Sequence, residues 1–518
     1  MIRDLVHGYA ESTGTQDVCI IGAGAAGIVL AVELVRRGKS VVVLEGGGLT
    51  IEAESQDLCR SELAGLPHRG IHVGRFRAVG GTTLKWGGQI LELDEQDFAV
   101  RPHVSGSGWP FAKADLARFY ERALTLEGLG RVERDEDAVW QGIGVAARRF
   151  AGLDSYLTRW CPQPNFALLH RETLERHPLL TVWQHANVVE LCHAGSKELA
   201  MSVRAKTLTG FEAKVCAREF VFCLGAIECS RFFLQPRADG VPWNRSELVG
   251  KYFQDHVDAN IATVKPLDRK GFSRCFDNIY SQGFKYHPKL RLSEAEQRER
   301  ETLNVAGTMV FESEAQAALS TLKSSVKKLL GGDWSEITAE EATSVVRHLP
   351  LALRQAWRYA VEHRAYNPEG NGAAIQLRVH CEQRPDSVSS ITLSGERDAL
   401  GLLRARLDWQ IDPVELATIR EFTLTAQRAL APLAVISPDE RLVQLDPSFI
   451  AQCDDSNHHM GGMRMAASER NGVVDPNLRL WGMKNVSVLS SAVFPSSGKS
   501  NPTHTLLALA VRLADHLG

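Results

Sequence analysis

Apolar and polar positions along this chain follow two periods, one near two residues and one near 3.6. Residues 17–21 (DVCII) form a short β-rich run, 22–27 (GAGAAG) are a glycine cluster, and 28–37 show helical spacing closed by Gly38. A second apolar run, 40–44 (SVVVL), ends in Glu45. The predicted order is strand, glycine turn, helix, strand, acid. Residues 219–234 (EFVFCLGAIECSRFFL) predict another buried strand, a turn at Gly225 and a helix. The C-terminal stretch SNPTHTLLALAVRLADHL (500–517) predicts a helix with Asn501 as N-cap and Pro502 at N1. From about 259 to 447, β-rich runs (NIATV, NVAGTMVF, AAIQLRVH) flank a helical block at 314–364, which reads as an amphipathic cover or subunit contact.

Composition narrows the class. With 518 residues, 44% hydrophobic and 23% charged, the chain is long enough for two or three cores and a large cofactor. A net charge of -3 gives no attraction to nucleic acid or to an anionic membrane. Its ten cysteines form no C-x-x-C pair and often sit in apolar runs, so they read as reduced core thiols rather than zinc ligands, and no metal is expected. The first residues lack the apolar stretch of a secretory signal, and no apolar run approaches the roughly 18 residues of a membrane span. A cytoplasmic location is the resulting expectation.

The glycines carry the first chemistry. Gly22 permits a tight turn, Gly24 lets backbone approach a pyrophosphate, Gly27 lets helix pack on strand, and the helix N-terminus offers free N–H groups to phosphate. Ala25 and Ala26 fill the motif, and Glu45 lies at the spacing of a ribose-binding carboxylate. This predicts a dinucleotide site without separating FAD from NAD. Residues 75–89 (RFRAVGGTTLKWGGQ) suit either a connector or a loop laying backbone N–H groups against a planar ring under Trp86. His256, within LVGKYFQDHV (248–257), reads as structural at a crossover.

Eight segments in chain order resemble the glucose-methanol-choline (GMC) oxidoreductases from about Asp17 to Leu517. They are DVCIIGAGAAGIVLAVEL, RAVGGTTLKWGG, SGWPFAKADLARFYERA, LGAIECSRFFL, LVGKYFQDHV, EQRPDSVSSITLSGERDALG, HHMGGMRMA and NVSVLSSAVFPSSGKSNPTHTLLALAVRLADHL. Within the family the chain looks similar to bacterial sugar-oxidising members of the pyranose-oxidase and glycoside 3-oxidase kind. The resemblance implies an α/β fold: a discontinuous Rossmann-like FAD-binding domain (1–100, 180–258, 450–518) and an α+β substrate domain on an antiparallel sheet (101–179, 259–449). It implies FAD contacts at Gly22, Gly24, Ala25, Ala26, Gly27, Glu45 and Gly46 near the N-terminus. Further contacts fall at Gly80, Gly81, Thr82, Thr83, Trp86, Gly87 and Gly88, and at Val188, Gly225, Ala492 and Thr503.

Carried across residue by residue, the family's catalytic histidine opens a motif like H-P-V-G-T-x-R-M. Alignment on Arg464 and Met465 places it at His458, with His459 at the usual proline position, and its partner falls on Asn501. His458 is then the general base of an alcohol oxidation and Asn501 a hydrogen-bond donor to the same oxygen. Lys85 stands where pyranose oxidases carry the histidine joined to FAD, so the flavin is expected to be non-covalent. Gly87 replaces a threonine found near flavin N5, which weighs against efficient use of O2 and makes a quinone or protein acceptor credible. The expected substrate is a small-molecule alcohol, a sugar or glycoside, and a homo-oligomer is allowed. Two further readings stay open: the large subunit of a membrane-linked sugar or polyol dehydrogenase feeding a cytochrome or quinone, and a non-redox FAD-containing lyase.

Overall fold

The computed structural model describes residues 1–8, 15–194, 196–237, 240–312 and 374–518, with scattered positions between 343 and 363. The helical block expected at 314–364 lies outside the described residues, apart from those positions. In chain order, the elements that shape the site are β1 (Gln16–Ile21), α1 (Ala25–Arg36), β2 (Val41–Leu44), β3 (Leu153–Trp160), β4 (Leu180–Gln184) and β5 (Glu212–Phe222). They continue with α2 (Ala226–Leu234), β6 (Val257–Pro266), β7 (Phe284–Leu292), β8 (Val305–Glu312), β9 (Ala374–Cys381), α3 (Pro413–Leu430), β10 (Val486–Val488) and α4 (Thr503–Leu517).

The fold is mixed α/β. The core of its first, eight-stranded sheet is the parallel run β4-β2-β1-β5, with β10 added beside β5 and an antiparallel extension beyond β5. Strands buried on both faces must be apolar throughout, and the four residues of β2 are all buried. Helix α1 begins at Ala25, three residues earlier than the apolar spacing predicts, because the Gly24 carbonyl already accepts the Ile28 N–H at 3.0 Å. Gly22 sits at φ +105°, and a Cβ on Gly27 would stand 2.0 Å from the Gly22 carbonyl oxygen. These two positions admit only glycine.

The second sheet is antiparallel, in the order β6-β9-β8-β7-β3. Strand β9 shows why its two faces differ. Ile375, Leu377, Val379 and Cys381 are buried and join Phe422, Ile419 and Leu430 of α3 in one apolar cluster. Gln376, Arg378 and His380 alternate with them and point to the opposite face. Strand β7 does the same with His287, Lys289 and Arg291 against Tyr286, Leu290 and Leu292. The sheet is therefore greasy behind and densely charged in front.

All ten cysteines are free and seven are buried, as their apolar settings predict. No helix among the described residues is long and apolar enough to cross a membrane.

Candidate active site

A cleft runs along the C-terminal ends of the parallel strands. Gly22, Gly24, Ala25, Ala26, Glu45 and Gly46 line one end, and Gly81, Thr82, Thr83 and Trp86 line a wall. Gly225 and Thr503 border it as well. This is where α1 begins, so free backbone N–H groups and the positive end of the helix meet the cleft. No atom lies within 4 Å of where a Gly24 Cβ would stand, which leaves room for a pyrophosphate against the backbone. Glu45 is held rigidly: Oε2 accepts the Ala23 N–H at 2.8 Å and Oε1 the Gly47 N–H at 2.9 Å. Burial raises its carboxyl above the usual range, against those two amides and the nearby Arg77. The cradle fits a dinucleotide.

The remaining expected contacts stand apart from the cleft lining. Gly27 packs on Gly22, and Val188 borders an adjoining smaller cleft with Gly46 and Leu224. The Gly80 N–H donates to the Ala23 carbonyl at 2.8 Å, tying the second glycine loop to the first. Gly87 lies against Trp160 and Gly88 against Pro164, while the buried Ala492 accepts the Met463 N–H at 2.9 Å. The indole N–H of Trp86 donates to the Pro164 carbonyl at 2.7 Å, which orients the ring. Lys85 is exposed.

One expectation is corrected. Asn501 does not cap the last helix; Pro502 occupies the N-cap, its carbonyl accepting the Leu506 N–H at 3.0 Å, and Thr503 is the first helical residue. Proline's fixed φ of -70° is already helical, so the turn closes on Pro502 and Asn501 is left one residue outside. Its carboxamide makes no hydrogen bond among the described residues.

Several cleft residues escape the sequence reading. Arg75, Arg77 and Glu228 form a buried ion cluster with Arg231, Arg75 reaching Glu228 at 2.8 Å and Arg231 reaching it at 3.0 Å. Burial would raise the Glu228 carboxyl, but Arg231, Arg75 and Arg77 outweigh it and hold it at about 2. Asn457 and His459 also line the cleft. His458 and Asn501 do not; His458 turns toward the charged face of the antiparallel sheet.

The surroundings of His458 are specific. Its backbone N–H donates to Asp255 Oδ1 at 2.9 Å, and its Nδ1 lies 2.8 Å from Nδ1 of His256. The His380 ring is 6.2 Å away, and His380 is itself paired with Asp258. Burial, then the neighbouring His256 and His380, pushes His458 well below the ordinary histidine value. Asp258 shows the opposite outcome: burial would raise it, yet His380 and Arg378 hold it far below the usual carboxylate range.

Among the described residues, His68, Asp255 and His459 alone converge closely enough to hold a metal ion. The Ile71 N–H, however, points at His68 Nδ1 at 3.1 Å, which makes that nitrogen an acceptor and puts the ring proton on Nε2. A protonated Nε2 has no lone pair for a metal; it lies 3.2 Å from Asp255 Oδ2, an ion-pair distance without good hydrogen-bond geometry. The group is a histidine–carboxylate pair.

Residues 17–200 match the family model described as FAD dependent oxidoreductase, and residues 385–510 match the one described as GMC oxidoreductase. Residues 385–510 thus form a GMC oxidoreductase domain. Together the two matches mark an FAD-dependent oxidoreductase, and the cradle at Gly22–Gly27 fits a dinucleotide of that kind. It is 23% identical to a 2-methyl-1,2-propanediol dehydrogenase of Mycolicibacterium austroafricanum, over 98% of this chain and 96% of the relative. A paromamine 6'-oxidase of Streptomyces fradiae is 24% identical over 96% of this chain and 90% of its own. A C-glycoside 3-oxidase of Microbacterium trichothecenolyticum is 26% identical over 29% of this chain and 28% of its own. The same fold recurs in the crystal structure of pyridoxine 4-oxidase from Mesorbium loti, with a TM-score of 0.60, 16% identity and coverage of 97% of this chain and 99% of that one.

Proposed function

We propose that this protein is a GMC oxidoreductase that oxidises a primary or secondary alcohol of a sugar or glycoside, with His458 as the general base. One observation carries the reading: His458 faces a sheet surface crowded with Arg378, His380, His287, Lys289 and Arg291, a lining suited to a polyhydroxylated molecule. The names of the paromamine and C-glycoside relatives support the same substrate class.

When bound, FAD supplies the acceptor for the hydride that leaves the carbinol carbon. The chain must manage the proton and the geometry. His458 is neutral at working pH and takes the hydroxyl proton, a role that typically contributes about 10² to 10⁴-fold. Asn501, free of capping duty, donates its amide N–H to the same oxygen as charge gathers there. The positive end of α4, at Pro502 and Thr503 on the cleft wall, favours negative charge on the cofactor. Non-covalent FAD, a division into interleaved FAD and substrate domains, a cytoplasmic location, and O2 or quinone as acceptor belong to the same proposal.

The test is anaerobic flavin bleaching by a panel of paromamine, methyl β-glucoside, a C-glycoside and 2-methyl-1,2-propanediol, followed by acid precipitation. Bleaching by sugars with yellow colour left in the supernatant is expected; failure of every alcohol to bleach would sink the reading. His458→Ala should keep FAD and slow bleaching at least about 100-fold. If His459→Ala shows that loss while His458→Ala does not, the base is His459, which borders the flavin cleft.

A further inference from the structure

A histidine acts as a base only through a nitrogen that carries no proton, so the tautomer of His458 decides whether it is competent. Its Nδ1 lies 2.8 Å from Nδ1 of His256, with the two rings 83° apart. Its Nε2 makes no hydrogen bond among the described residues. The other nitrogen of His256, Nε2, lies 2.8 Å from the carbonyl oxygen of Gly498. A carbonyl can only accept, so His256 Nε2 carries a proton and donates it.

The rest follows from proton counting. His256 is fully buried, and burial, reinforced by His380, lowers it to about 4, so the ring is neutral and its Nδ1 is a lone pair. Asp258 and Glu382 pull the other way and are outweighed. Two lone pairs facing each other at 2.8 Å would repel. His458 must therefore supply the proton of the Nδ1···Nδ1 bond, and a neutral His458 with its proton on Nδ1 has Nε2 bare. Asp255 fixes both backbones, Oδ1 accepting the N–H of His256 at 2.7 Å and of His458 at 2.9 Å.

We propose that His256 is a positioning residue: anchored on the Gly498 carbonyl, it locks His458 into the Nδ1–H tautomer and leaves Nε2 free to take the substrate's hydroxyl proton. In that transfer the substrate O–H bond breaks and an Nε2–H bond forms on His458. The inference rests on reading His458 as the base, but the tautomer itself is observable without any substrate. Gly498 lies three residues before Asn501, so the same histidine also ties the segment bearing His458 to the segment bearing Asn501.

The experiment is a long-range ¹H–¹⁵N spectrum of FAD-loaded enzyme labelled with ¹⁵N-histidine, His458 being assigned by its loss in His458→Asn. The expected spectrum shows His458 protonated at Nδ1 and bare at Nε2. In His256→Leu that pattern should give way to the other tautomer or a mixture. In His256→Asn, whose side-chain carbonyl can accept from His458, it should return. Anaerobic flavin reduction should slow at least about tenfold in His256→Leu, with partial recovery in His256→Asn and FAD content unchanged. A wild-type spectrum with the proton on Nε2 would overturn the proposal, as would an unchanged tautomer in His256→Leu. If His256→Leu does not fold, the wild-type spectrum still decides. Normal reduction by His458→Ala would sink the base assignment, whereas a slow His458→Ala beside a fully active His256→Leu would sink only the positioning role of His256.

Discussion

Asp255 Oδ1 accepts the backbone N–H of His458 at 2.9 Å across 203 residues of chain. The same oxygen takes the amides of His256 at 2.7 Å and Ser456 at 3.3 Å, so one carboxylate organises both strands of the site. Replacing Asp255 with Ala strands those buried donors, each worth about 1–3 kcal/mol when unsatisfied. Asp255→Ala is expected to melt at a clearly lower temperature and to reduce its flavin slowly. An unchanged melting temperature would mean that the amides find other partners.

The glycine cradle separates folding from cofactor binding. Gly27→Val drives side-chain carbon into the Gly22 carbonyl oxygen, which would lie 2.0 Å from its Cβ, so the strand–helix unit cannot close. That variant should be insoluble or colourless. Gly24→Ala meets no atom within 4 Å and should fold with an unchanged apoprotein melt. Its methyl group nevertheless projects where the pyrophosphate approaches, so FAD content, read from the ratio of flavin to protein absorbance, should fall. Equal FAD content in wild type and Gly24→Ala would move the pyrophosphate elsewhere.

Buried neutral histidines make stability depend on pH with a definite sign. His256 is lowered to about 4 from an unfolded value near 6.5. Below 6.5 the unfolded chain binds a proton that the folded chain refuses, so the stability His256 contributes is present above 6.5 and is lost as pH falls toward 4. The loss is about 1.4 kcal/mol per pH unit for this one residue. His458, also depressed, adds to it. The melting temperature should therefore drop steeply between pH 6.5 and 4, while flavin reduction should not bend near 6.5. A reduction profile that falls off at 6.5 would mean that His458 titrates like an exposed histidine.

Lys289 is buried on the charged face of β7 and forms no ion pair among the described residues. Burial, opposed by Asp258, lowers its ammonium to about 8. A depressed lysine destabilises the fold increasingly as pH falls from its unfolded value near 10.4 to about 8, and fully below that. Lys289→Met should raise stability at pH 7 by on the order of 1–3 kcal/mol while weakening substrate binding. A variant that is both less stable and normal in substrate affinity would show that the cation has a structural partner instead.

Local physics made much of this protein legible from its residues alone. The turn at Gly22–Gly27 is dictated by sterics within six residues, and the alternation along AAIQLRVH separates Val379 in the core from His380 on the site face. Residues far apart carry no such signal. His256 reads as structural at a crossover because its partners, His458 and the Gly498 carbonyl, are 202 and 242 residues distant in sequence. Arg75 meets Glu228 across 153 residues for the same reason.

Choices between neighbours also waited for the tertiary structure. Composition puts the cap at Asn501 and Pro502 at N1, and only the helical φ of Pro502 with its carbonyl bonded to Leu506 moves the cap to the proline. His458 and His459 are adjacent and chemically identical in sequence. Asp255 and the chain's path through Asn457 turn one ring toward the charged sheet and the other toward the glycine-lined cleft. Near neighbours alone dictate where the strand, turn and helix around Gly22–Gly27 form. Which protons sit on which nitrogens around His458 depends on burial and on partners brought together only when the two sheets face each other.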